Sequence, residues 1–205
     1  MSTPSTICRA SSTKGCARVR PPPRNLTVVA DADEGTVIDV IDEAAARTPF
    51  VVIDLEGTAS MMVSYAISRS DFVIIPTQGS QLDARQAARA IRLVQQQEKA
   101  FRRRIPHAVL LTRTSAAIRP RSLRHIHEQL IAHNVDIFAA QLIERDAFRA
   151  LFSFGGTLHE LDDRHVSNLK AAKANAHAFA AEVIEKLRLA ERQGRGTQIA
   201  AAEVA

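Results

Sequence analysis

A chain of 205 residues can enclose one sizeable core, and its length argues for one domain rather than two. Its 46% hydrophobic and 24% charged residues are the balance of a soluble globular protein, and no apolar run approaches the roughly 20 residues of a membrane-spanning helix. The formal net charge of +5 is compatible with a polyanionic partner. Cys8 and Cys16 have no His or Cys companions at zinc-ligand spacing and read as free thiols in a reducing cytoplasm.

Residues 1–24 hold no acidic residue, no hydrophobic period and the triple proline Pro21 to Pro23, which predicts a disordered basic leader. The Arg- and Ser-rich, acid-free composition is shared with transit peptides, but the prolines and the missing amphipathic face weigh against one. Thr13-Lys14-Gly15 invites comparison with the phosphate loop G-x-x-x-x-G-K-S/T. It lacks the second glycine, the Lys-Ser/Thr pair and any predicted preceding strand.

From Leu26 the texture changes. Leu26 to Ala30 is a short apolar strand, and Asp31-Ala32-Asp33-Glu34 loads the start of the next helix with negative charge, so the acids read as a helix cap. Val37, Ile38, Val40, Ile41, Ala44 and Ala45 follow at helical spacing, and the helix ends near Thr48-Pro49. Phe50 to Asp54 is the most apolar strand, and Asp54 is followed by Glu56, Gly57 and the small residues Thr58 to Ser60. In an open α/β sheet, ligands gather beyond the carboxyl ends of the strands, where such an aspartate would stand. The plainer alternative is a core strand whose terminal Asp caps the next helix.

The alternation continues with a helix over Ala59 to Arg69, a strand over Asp71 to Pro76, and a long helix over Gln81 to Arg103. Leu82, Ala87, Ala90, Ile91 and Val94 would form that helix's inner face. A strand over His107 to Thr112, a helix over Ser122 to His133, a last strand over Val135 to Leu142 and a short helix over Glu144 to Phe152 come next. Gly155-Gly156 breaks the pattern before a closing helix over Val166 to Leu189. Apolar strands separated by helices specify a parallel sheet covered on both faces. Phe148, Phe152 and Phe154 are expected in the core. The domain is expected over 25–190, with a flexible polar tail over 191–205.

Phe50-Val-Val-Ile-Asp54-Leu-Glu-Gly57 resembles the switch II strand and loop of the ParA/MinD/VirC group of P-loop partition ATPases. Ser70-Asp71-Phe-Val-Ile-Ile-Pro76-Thr-Gln is similar to that family's following strand, and Leu110-Leu-Thr112-Arg113 to the strand end near the nucleotide base. Arg145-Asp-Ala-Phe148 with Gly155-Gly156 resembles its closing segment. The likeness runs from Leu26 to Leu189. It implies an α/β, doubly wound, mostly parallel sheet of P-loop NTPase type (the SIMIBI, ParA-like fold). It further implies ATP and Mg²⁺ as cofactors in the intact family, with Asp54 toward the metal and Gly57, Thr112 and Arg113 toward the nucleotide.

The family's opening strand, its Lys-Gly-Gly-x-x-x-Lys-Thr loop and its Asp-x-Asp switch I have no counterpart here. Asp31-Ala-Asp33 imitates switch I, but Asp33 lies only 21 positions before Asp54. The expectation is therefore an N-terminally truncated partition protein lacking its first strand and Walker A loop, with no intact catalytic residue and with ATP binding and hydrolysis impaired or absent. Losing that strand would expose the ladder edges of its neighbours and make the chain marginal or dependent on a partner.

Between Glu98 and Glu128 lie eight Lys or Arg residues and no acid. Arg102, Arg103, Arg104, Arg119, Arg121 and Arg124 form the candidate surface for nonspecific DNA, and a solvated basic face is the alternative. His125 and His127 stand two apart on a helix and point to different faces, against a metal site. The resemblance implies a homodimer, or pairing with a full-length ParA-like relative, and a ParB-like partner; no membrane is involved. A rival reading is a non-enzymatic DNA-binding or dimerisation module of VirC type that modulates plasmid partition or conjugal transfer. A flavodoxin-like domain sharing the pattern is a third.

Overall fold

The computed structural model describes residues 5–10, 25–30, 32–55, 60–115 and 121–203; side chains are described for these except at 5–10, 81, 121, 122, 125 and 194–203. The elements in order are β1 (Ser5–Ala10), β2 (Leu26–Val29), α1 (Val37–Arg47), β3 (Phe50–Leu55), α2 (Met61–Arg69) and β4 (Val73–Thr77). They continue with α3 (Gln81–Phe101), β5 (His107–Thr114), α4 (Arg121–Ala132), β6 (Leu142–Ile143), α5 (Asp146–Phe154) and α6 (Leu169–Glu203). Two compact units result, one from Met1–Ser70, Gln96–Arg102 and Asp146–Leu169, the other from Asp71–Gln95, Arg103–Arg145 and Lys170–Ala205.

The first unit holds a parallel sheet in the order β2-β1-β3. Its middle strand corrects two expectations, that residues 1–24 are disordered throughout and that no strand precedes Leu26. Ser5 to Ala10 pairs along all of β3 and Ser5 to Cys8 pairs along β2. The physical reason is that two parallel strands joined by a helix leave a slot between them. A short segment rich in β-formers, here Thr6-Ile7-Cys8, satisfies the backbone groups facing that slot. Helices α1 and α2 cover one face, where Ala32, Val37, Ile41 and Ala66 form a core joined by Ile53, Leu55, Met62 and Tyr65. Ser60 starts α2 by accepting the Val63 amide at 3.3 Å, and the Thr48 hydroxyl ends α1 by donating to the Ala44 carbonyl at 2.9 Å.

Coverage of both faces does not extend to β3. Phe50 and Val52 are 40% and 55% exposed, while Val51, Ile53 and Leu55 are half-buried, so this apolar strand packs on one side only.

The second unit has parallel strands in the order β4-β5-β6. Here β5 behaves as its continuous apolar run demands, with Val109 packed among Ile75, Ala87, Ile91, Ile126 and Leu130 and its neighbours Ala108 and Leu110 packed against Phe138. Phe138 meets Phe72 and Phe179 edge-on at 6.1 and 5.3 Å between ring centroids. The Val73 amide donates to the Pro106 carbonyl at 2.9 Å. Residues alternate sides along a strand, so Pro76 turns its donorless nitrogen away from β5, where it forfeits no ladder bond.

Several boundaries differ from expectation. The strand expected over Val135 to Leu142 is reduced to Leu142–Ile143 plus a single bridge between Val109 and Ile137. The tail after residue 190 continues as helix to Glu203, because the good helix formers around Gly194 and Gly196 offset a cost of about 1 kcal/mol per glycine. On α3, Ala87, Ile91 and Val94 are buried but Leu82 is 67% exposed. Of the three phenylalanines assigned to the core, Phe148 is half-buried, whereas Phe152 and Phe154 are 86% and 53% exposed. On the nine-residue α5 it is the small Ala147 and Ala150 that face inward.

Candidate functional site

The parallel ladder of the first unit carries Asp54 to the carboxyl end of β3, in register with Arg9 of β1 and exposed. Gly57 lies outside the described residues. An exposed carboxylate at a strand end can accept a metal-bound water, and Mg²⁺ is commonly held by one or two carboxylates together with substrate phosphates. Among the described residues no group of three or more His, Cys, Asp or Glu could hold a metal ion. Among the described residues Asp54 could serve as one ligand of a Mg²⁺ brought in by nucleotide phosphates, and the sequence contains no G-x-x-x-x-G-K-S/T loop to hold those phosphates.

Asp33, the apparent switch I mimic, closes the turn that leads into α1, whose N-cap is Thr36 rather than one of the acids. Its Oδ1 accepts from the Gly35 amide at 3.0 Å, the Thr36 amide at 2.9 Å and the Thr36 hydroxyl at 2.8 Å. The Thr36 hydroxyl, then its amide, hold the Asp33 carboxyl below the usual carboxylate range.

In the second unit, the Thr112 hydroxyl donates to the Thr77 carbonyl at 3.2 Å, tying the ends of β5 and β4 together. Arg113 follows with a φ of 53° and an exposed side chain, where the β5–β6 register shifts between Thr112 and Thr114. A non-glycine residue in the left-handed region at a bulge is a strained position of the kind that gathers at functional sites. Sequence reasoning missed the next two groups. Thr114 is 5% exposed and its hydroxyl has no hydrogen-bond partner, and the buried Nε of Arg145 likewise has none among the described residues. The Glu144 amide donates to the Thr114 carbonyl at 2.9 Å, which brings residues 114 and 145 to the same strand end. Both unpaired groups can donate a hydrogen bond, so this end suits an acceptor. Only the likeness of Arg145 to a family segment pointed there.

Of the basic residues, Arg102, Arg103, Arg104 and Arg124 are exposed. Arg102 has a φ of 48° and turns the chain out of α3. Arg121 opens α4, its side chain outside the description, and Arg119 lies outside the described residues.

Comparison with known proteins agrees with this architecture. A ParA family ATPase from Chlorobium tepidum TLS superimposes with a TM-score of 0.59 at 14% identity, over 75% of this chain and 76% of that one. Cyanthece apo McdA superimposes with a TM-score of 0.55 at 15% identity, over 71% of this chain; the overlap spans 59% of the McdA chain's own length. The fold is thus the parallel α/β fold of ParA-type P-loop ATPases. A family model described as VirC1 protein matches residues 23–192, and Protein ParA of Rhizobium radiobacter is 41% identical over 165 residues, 80% of this chain and 74% of that protein. The chain belongs to the VirC1 family, within the ParA/MinD/VirC group. Among the described residues no helix is long and apolar enough to cross a membrane.

Proposed function

We propose that this chain is a ParA-like DNA-segregation protein that, taken by itself, neither binds ATP tightly nor hydrolyses it. The partition reading is carried by the 41% identity to Protein ParA over 165 residues. The nucleotide reading is supported by a strand-end Asp54 without a sequence for the loop that would hold phosphates and Mg²⁺ beside it. A fluorescent ATP analogue titrated with Mg²⁺ is expected to show no affinity at or below the micromolar range. Micromolar or tighter binding would overturn that part.

A second reading, a non-enzymatic VirC-type module acting through DNA or dimer contacts, is favoured by the exposed Arg102, Arg103, Arg104 and Arg124, whose charge needs no nucleotide. Its partners are nonspecific DNA, a second copy or a full-length ParA-like relative, with a ParB-like protein as the further candidate. Gel shift with random duplex DNA separates the two readings. Binding indifferent to ATP supports the module, and binding that requires ATP supports the switchable partition protein.

A further inference from the structure

The chain leaving α3 exposes an aromatic ring immediately before three cations. Phe101, the last residue of the helix, is 51% exposed while Ala87, Ile91 and Val94 earlier on the same helix are buried. Arg102, Arg103 and Arg104 follow, all exposed. The four residues are consecutive, so their nearness is covalent: three steps of 3.8 Å bound the span at about 11 Å.

A helix C-terminus attracts a cation, which accounts for one arginine. It does not account for a second exposed arginine such as Arg104, nor for a half-exposed phenylalanine ahead of them. Arg102 adds a further sign, because it occupies a left-handed conformation (φ 48°) that glycine adopts without strain. The chain thus keeps a charge at the expense of local stability, a pattern that goes with function.

We propose that Phe101 to Arg104 is a docking segment for single-stranded DNA, with the Phe101 ring stacking on an unpaired base and the arginines contacting flanking phosphates. The proposal rests on the DNA reading above and names the form of the DNA. Arginines alone serve duplex and single strand alike, but a duplex hides its base faces, so a ring offers an advantage only where bases are unstacked. Because every base has a π face, such binding tolerates any sequence.

The test is fluorescence anisotropy of the full chain with a 20-nucleotide oligo-dT and, separately, a 20-base-pair random duplex, at two salt concentrations. The oligo-dT is expected to bind more tightly than the duplex. Phe101→Leu, which keeps an apolar side chain but loses the ring, is expected to weaken oligo-dT binding by about tenfold and leave the duplex unchanged, and Phe101→Tyr to restore it. Arg104→Gln should lower the salt slope by about one for both probes. Equal affinity for the two probes with no effect of Phe101→Leu overturns this proposal and leaves the DNA reading intact. Binding to neither probe overturns both.

Discussion

The Ile143 amide donates to the Asn175 side-chain oxygen at 2.9 Å, so that a residue of α6 stands where a further strand would. The same amide group returns a hydrogen bond, its Nδ2 donating to the Gln141 carbonyl at 2.7 Å. One side chain thereby satisfies a donor and an acceptor at the two-residue β6, too short to be secure on its ladder bonds alone. Asn175→Ala is expected to cost about 1–3 kcal/mol in urea denaturation. Hydrogen exchange should show the Ile143 amide losing protection; an unchanged rate there would refute the mechanism.

About two turns further along α6, Glu182 accepts from the Ala139 amide at 2.8 Å and the Ala140 amide at 2.7 Å. Lys186 lies 2.7 Å from the Asp136 carboxylate and 5.2 Å from the centre of the Phe138 ring. These contacts hold the segment between β5 and β6 against the helix. Glu182→Ala removes two charge-assisted bonds and should destabilise by about 2 kcal/mol, more than Lys186→Ala, whose ion pair is partly solvated. Chemical denaturation of both variants checks the order.

Arg102→Gly is expected to raise stability by about 0.5–1 kcal/mol, since the left-handed conformation no longer strains a side chain, while the added freedom of the unfolded glycine offsets part of the gain. The same substitution should weaken DNA binding and its salt dependence. A melting temperature that falls would show that the arginine side chain is structurally needed.

Two carboxyls couple stability to acid. Asp33 is held low by Thr36, and Asp162 by the Arg164 guanidinium and then its amide. A depressed carboxyl stabilises above its unfolded pKa, near the model-peptide value of 3.8, and that contribution is lost as pH falls through its lower folded value. Acid unfolding should therefore steepen below about pH 4, and Asp33→Asn combined with Asp162→Asn should flatten that limb. Carboxyl NMR titration midpoints at or above the unfolded-chain value would contradict it.

Asp54→Asn tests the strand-end carboxylate. With no G-x-x-x-x-G-K-S/T pattern in the sequence, the substitution should leave Mg²⁺-ATP titrations and duplex DNA binding unchanged, whereas a working switch II would respond in both. Isothermal calorimetry of the variant beside the unaltered chain is the measurement.

The alternation of apolar strands with helices of 3.6 periodicity was legible in the residues alone, as were the parallel character of the strands and the place of Asp54 at a strand end. Each depends on neighbours a few positions away, and local sequence encodes those interactions directly. Only the tertiary structure decided that Ser5 to Ala10 fills the slot between β2 and β3, because its pairing depends on edges formed 20 to 50 residues later. The same holds for the outward-facing Phe152 and Phe154, the Thr114 hydroxyl and Arg145 Nε that lack partners among the described residues, and the reach of α6 to β6 through Asn175. Burial and hydrogen-bond satisfaction are properties of the partner that arrives, and a pattern of residues states what a segment can bury without stating what comes to cover it.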